Sequence, residues 1–322
     1  LQDDRWNRKL FDDISYGEFS RYRSLWPKEY VLQITTGNDN NTVVASFEAD
    51  LSGLRGGSAI VFASGFLSPA DNMNGASFGL FAALADGTVI ELPAIGKTAR
   101  LQVIHNAADP GAEFVDIYVN DDLLLDNFQF RTATPFIDVP AGVSLNLGVA
   151  PPTSTSSADA LAVIPVEFDG GQTYVAVANG VLDPSMFASN PDGRSIGFEL
   201  FTKSGAREEG QNGWHQVDFF ALHGATDAPT VDVIARDVAT LVDNAAYGDV
   251  TDYINVPAGK YVLDVTPGND NGTIVASFEA DLSGLGGGAA VVFASGFLTP
   301  GDNQNGAACG LFAALPDGNV VQ

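Results

Sequence analysis

Apolar and polar residues alternate with a period of two from Tyr30 onward. Tyr30, Leu32 and Ile34 fall on one side, and Val31, Gln33 and Thr35 on the other. That period belongs to an extended strand. Short apolar runs follow at 43–47, 59–66, 78–84 and 89–92. Each is bounded by turn-forming clusters such as Gly37-Asn38-Asp39-Asn40 and Asp86-Gly87. About seven such strands per unit, at a spacing of roughly 8–12 residues, predict an all-β sandwich. The long run 59–67 predicts a strand in the centre of a sheet, and 49–53 reads as a short helical turn.

The same pattern returns further along. Residues 30–91 align with 261–322 at a constant offset of 231 without a gap, with 45 identities in 62 positions. A more distant copy lies between them. Val103-Ile104-His105 followed by Val115-Asp116-Ile117-Tyr118 answers Ala221-Leu222-His223 followed by Val231-Asp232-Val233-Ile234. Val139-Pro140-Ala141-Gly142 answers Val256-Pro257-Ala258-Gly259, and the strand ending at Asn179-Gly180 answers the one ending at Gly296. Fixed-offset similarity is the signature of a repeat array. The expected domains are repeat A over 1–97, repeat B over 98–212 and repeat A′ over 213–322. The polar stretch 203–213 predicts a flexible linker, and Pro151-Pro152-Thr153-Ser154-Thr155-Ser156-Ser157 a loop inside repeat B.

Composition narrows the function. The 322 residues carry 40 acidic and 15 basic side chains, a formal charge of −25. Such a surface repels phosphate backbones and anionic lipid, so nucleic acid and membrane insertion are not expected as partners. No apolar run reaches the ~18 residues of a membrane span. Cys309 is the single cysteine, which leaves no intrachain disulfide or thiolate metal site. Leu1 opens no signal-peptide pattern, so the chain reads as a processed product or a window from a longer protein.

The ordered elements resemble the domain-of-unknown-function family 4397. The matching residues are His105-Asn106-Ala107-Ala108-Asp109-Pro110 before Val115-Asp116-Ile117-Tyr118-Val119. The second match is His223-Gly224-Ala225-Thr226-Asp227-Ala228-Pro229 before Val231-Asp232-Val233, completed by Tyr247-Gly248 and the Val-Pro-Ala-Gly turns. The resemblance implies bacterial cell-surface or secreted proteins built of immunoglobulin-like sandwiches, without enzyme activity or catalytic residues. Repeat A departs from the pattern, because its His-containing opening is absent.

At the offset of 231, Leu1 aligns with Asp232, so repeat A lacks a counterpart of about residues 213–231, which hold the opening strand of A′. A sandwich without that strand should leave an apolar slot and an unpaired edge. Two explanations stand: the array is trimmed, or another subunit donates a strand, which would build head-to-tail filaments. Residues 1–30 also hold six of the 15 basic residues together with Trp6 and Trp26. They read either as a divergent repeat end or as a docking surface anchored by Arg and Trp.

Candidate chemistry is sparse. Gly75-Ala76-Ser77-Phe78-Gly79 satisfies the nucleophile-elbow string, but A′ has Ala308 opposite Ser77. Gly96-Lys97-Thr98 lacks the preceding glycine of a phosphate loop. His105 and His223 occupy equivalent positions in separate repeats and read as rings bonded to backbone. Asp39, Asp71, Asp270 and Asp302, in Asn/Asp/Gly loops, are candidate calcium ligands, although the same residues serve turns. Asn40 and Asn271 open glycosylation sequons. The expectation is a non-catalytic extracellular or cell-surface protein of structural or adhesive type. It would be a filament or surface-layer subunit assembling with copies of itself by strand complementation, with other surface proteins or glycans as further partners. The competing expectation is a carbohydrate- or calcium-binding module, for which calcium would be the one cofactor.

Overall fold

A computed structural model describes residues 2–3, 8–36, 39–66, 72–73, 76, 78–96 and 98–322. It divides into two compact units, residues 1–97 and 98–322. The first contains β1 (Gln2–Asp3), β2 (Arg8–Lys9), β3 (Glu29–Thr36), β4 (Asp39–Asp50), β5 (Ala59–Ser64), β6 (Gly79–Leu84), β7 (Val89–Leu92) and β8 (Ala94–Ile95). In the second, repeat B supplies β9 (Thr98–His105), β10 (Phe114–Val119), β11 (Asp122–Gln129), β12 (Thr132–Ala133), β13 (Ile137–Pro140), β14 (Ser144–Ala150), β15 (Ala162–Glu167), β16 (Thr173–Asn179) and β17 (Glu199–Ser204). Repeat A′ supplies β18 (Gln216–Leu222), β19 (Val231–Ala235), β20 (Ala239–Ala245), β21 (Ile254–Pro257), β22 (Lys260–Pro267), β23 (Ala276–Asp281), β24 (Ala289–Ser295), β25 (Gly310–Ala314) and β26 (Val320–Val321). The fold is all-β, as the period-two pattern predicts.

Repeats B and A′ have the same plan. In B, the sheet β12-β9-β16-β17, with β13 also on β9, lies over the sheet β11-β10-β14-β15. In A′, the sheet β21-β18-β24-β25-β26 lies over β20-β19-β22-β23. The opening strand pairs parallel with the central strand in both: β9 with β16, and β18 with β24. Leu101, Val103, Tyr174 and Ala176 point into the B sandwich with Leu145 and Val139. Their neighbours Ile104, Val175 and Val177 point the other way. There they share a buried cluster with Phe220, Leu222, Val291, Phe293, Phe312 and Ala314 of A′. The two repeats are therefore stacked through the outer faces of their parallel-paired sheets. Burial on both faces explains why β16 and β24 read as nearly continuous apolar runs.

The central strands end at glycines for a steric reason. Gly180 and Gly296 both adopt φ of 94°. A side chain there would collide with the carbonyl of Gly197 or Ala308, in the segment that bridges onto the strand end. Only glycine meets both demands.

The stretch 203–213 is not a flexible linker. The Asp218 carboxylate, fully buried, accepts from Arg207 Nη1 at 2.7 Å, Gln211 N–H at 2.8 Å and Asn212 Nδ2 at 2.9 Å. Gly210 N–H donates to the Gly287 carbonyl, and Arg100 forms a bidentate pair with Glu208 at 2.8 Å. Composition registered the polarity of this stretch; a single buried acceptor fixes it in place.

The first unit is a reduced version of A′. The order β2-β1-β3-β4-β8 answers β20-β19-β22-β23, and β5-β6-β7 answers β24-β25-β26. Leu10, Tyr30, Leu32, Phe47, Leu80 and Leu92 form its core. Two local expectations fail here. Residues 49–53 contain no helical turn: β4 runs to Asp50, whose Oδ1 accepts from Ser52 N–H at 2.8 Å, and a turn follows. The run 59–67 is not a central strand either, since β5 pairs with β6 alone among the described residues.

Candidate interaction surface

The motif residues that repeat between B and A′ hold the scaffold. His105 Nε2 lies 2.7 Å from the Ala112 carbonyl, and His223 Nε2 lies 3.1 Å from that of Pro229. Both rings are buried, and burial lowers both pKa values, that of His105 to about 4. Neutral rings bonded to backbone are what the repeat position suggests. Asp109 accepts from Gly111 N–H and Leu182 N–H. Its counterpart Asp227 accepts from Leu298 N–H, Thr299 N–H, Thr299 Oγ1 and Asn303 Nδ2, at 2.7–2.9 Å. Asp116 and Asp232 accept from the backbone of Asn127 and Asn244. Tyr247 is buried, with its hydroxyl pKa pushed up by that burial. The repeated His and Asp side chains of the motif thus bond backbone groups, while the Tyr247 hydroxyl accepts from Asn179 Nδ2.

The remaining candidates do not converge. Among the described residues no group of three or more His, Cys, Asp and Glu side chains could hold a metal ion. Asp270 closes its own turn, accepting from Gly272 N–H at 3.0 Å and Thr273 Oγ1 at 2.7 Å, which lowers its pKa. Asp302 lies in a 3-10 turn, Pro300–Asp302. Asp71, Gly75, Ser77, Lys97 and Trp6 lie outside the described residues, as do the side chains of Asp39 and Asn40. Asn271 is exposed in the turn after β22, and its Oδ1 accepts from Thr266 Oγ1. Burial raises the Cys309 thiol pKa, so thiolate is scarce there.

Two apolar features stand out. The first is the outer face of β5-β6-β7. Ile60 is 55% exposed and Phe62 40%, while their equivalents Val291 and Phe293 are 3% and 0% exposed. The stacked ring pair is present in both repeats: Phe62 on Phe81 at 5.6 Å, and Phe293 on Phe312 at 6.0 Å. In A′ this face is covered by repeat B; in A it faces solvent. The counterpart of 11–28 in A′ contains β21, which pairs on β18. Residues 11–28 form no strand, and Tyr16, Phe19, Tyr22 and Trp26 are exposed. Periodicity along the chain did not reveal this exposure.

The second is a cleft of about 990 Å³ between the sheets of A′, lined by Phe219, Leu263, Phe278, Val292, Leu311 and Leu315 among others. In the first unit the equivalent opening is closed by Leu92 and by β8, which pairs with Ser46 and Phe47 of β4.

Arg131 clamps the stacked repeats. It donates to Ser295 Oγ and to the carbonyls of Ser295 and Ala308, and its guanidinium lies 4.2 Å from the Phe312 ring centre. Asn106 and Asn179 donate across the same junction to the carbonyls of Ala294 and Gly224.

Comparison with known proteins agrees with the motif. A family described as a domain of unknown function (DUF4397) matches over residues 88–193 and 219–302, more than half of the chain. No curated protein matches. Among solved structures, the Bacillus anthracis TIE protein is similar at 13% identity and a TM-score of 0.18. That likeness covers 75% of this chain, which spans 41% of the other. At that score it carries no argument about fold or function.

Proposed function

The chain belongs to the DUF4397 family, and from that premise we propose that it is a non-catalytic structural or adhesive repeat protein of the bacterial surface or exterior. One observation carries the reading. The only chemistry repeated between B and A′ is spent on bonding backbone, while their outer sheet faces form a shared apolar core. A scaffold of that kind is built of sandwiches stacked in pairs, each covering the outer face of its partner. Catalysis would need a free nucleophile or base in a cleft; burial lowers the pKa of His105 and His223, and each bonds a backbone carbonyl through Nε2. The formal charge of −25 favours solubility of such an array. Electron microscopy of native material tests the reading. Filaments or an ordered surface coat are expected; dispersed single chains unattached to any surface would overturn it.

A further inference from the structure

The stacking in residues 98–322 shows what occupies the face that the first unit leaves bare. β18 lies parallel to β24, with Phe219, Phe220, Ala221 and Leu222 opposite Ala290, Val291, Val292 and Phe293. At the offset of 231 those partners are Ala59, Ile60, Val61 and Phe62 of β5, which has a free edge among the described residues. The outer face beyond that edge keeps the rest of the receiving surface. Phe62 and Phe81 hold the ring stack, and Ser64 and Gly65 stand where Ser295 and Gly296 meet Arg131. Gly65 also has the left-handed backbone of Gly296, with φ of 97° against 94°. Repeat A thus retains the receptor half of a junction whose other half is visible once in this same chain.

We propose that β5 and the outer face of residues 1–97 are a docking site for an opening strand of the Gln216–Leu222 type that follows a repeat of type B, as β18 follows repeat B in this chain. The strand enters parallel to β5, with its two aromatic positions opposite Ala59 and Ile60. The outer sheet of that type-B repeat then covers Ile60, Phe62 and Phe81, as Ile104, Val175 and Val177 cover their counterparts. Strand addition supplies backbone hydrogen bonds along an open edge, and alternate side chains set the register. The repeat B of this chain is not that repeat, because its outer face is already occupied by A′. This inference rests on the stacking reading above, but its test needs no native assembly.

The probe is a synthetic peptide with the sequence of residues 213–224, added in excess to the whole chain, with hydrogen exchange followed by mass spectrometry. Amides of 59–64 are expected to slow at least tenfold, while those of 289–295 stay unchanged. A peptide with Phe219 and Phe220 both replaced by Asp should produce no slowing. The chain variant Ile60→Lys, at an exposed position that leaves the core of the unit untouched, should need at least tenfold more peptide. Unchanged exchange at 59–64 under saturating peptide would overturn the proposal, as would equal slowing by the altered peptide. Failure here with filaments still seen by microscopy would reject this docking site and leave the structural reading standing. The reverse pair of results would keep the site and reject the assembly.

Discussion

Asp227 holds the turn after the central strand of A′ through four hydrogen bonds. Asp227→Ala would remove the acceptor of the Leu298 and Thr299 N–H groups and one of the acceptors of the buried Asn303 amide, at a cost of about 3 kcal/mol to residues 98–322. Urea unfolding followed by far-ultraviolet circular dichroism reads that loss. His105 sets a pH dependence. Its folded pKa, about 4, lies below the ordinary 6.5, because burial disfavours the charged ring. The unfolded chain therefore binds more protons between those values. The stabilisation is complete above about pH 6.5 and is lost as pH falls toward 4, up to a limit on the order of 3 kcal/mol. His105→Gln should flatten the melting temperature of 98–322 across that window relative to wild type. A slope that does not change would assign the dependence elsewhere. These residues were visible in the sequence as a repeated His and Asp, but their partners were not. Repetition marks a position as constrained; whether backbone or ligand imposes the constraint is decided by groups far away in sequence, such as the Leu298 amide.

At the scale of elements, one sequence is found in two environments. β5 and β24 are nearly identical, yet one is largely exposed and the other largely buried. Phe293→Ala should cost about 3–5 kcal/mol, the range for deleting a buried aromatic. Phe62→Ala in the first unit should cost under about 1 kcal/mol, because the ring is already half in water. Calorimetry of the two variants compares them directly. The apolar period predicted β-strands throughout, and strands were found. It put 59–67 in the centre of a sheet because a continuous apolar run reports two buried faces. In A′ that inference would be right, since β18 and β25 flank the strand while repeat B and the inner core of A′ cover its two faces. In A the same residues keep the signature of a cover that these residues do not provide. The cleft in A′ was equally hidden, because its lining residues read as ordinary core positions.

For the whole molecule, the offset of 231 revealed the repeated sandwiches and the deficit at the start of repeat A. It did not reveal that B and A′ form one compact unit, since the outward residues of β9 and β24 look like any other apolar alternation. The bonds around Asp218 were likewise invisible in a stretch that composition marks as loose. Exposure should govern proteolysis: brief trypsin treatment is expected to cut first at Arg21, Arg23 and Lys28, in the strandless segment, and to spare Arg207, whose backbone and side chain are both bonded. The central claim is that the outer sheet face is a stacking surface, covered once and bare once in the same chain. Hydrogen exchange of the unmodified chain, without added peptide, tests it most directly. Amides of 289–295 should exchange at least a hundredfold more slowly than those of 59–64, despite near-identical sequence. Equal protection of the two strands would contradict the account.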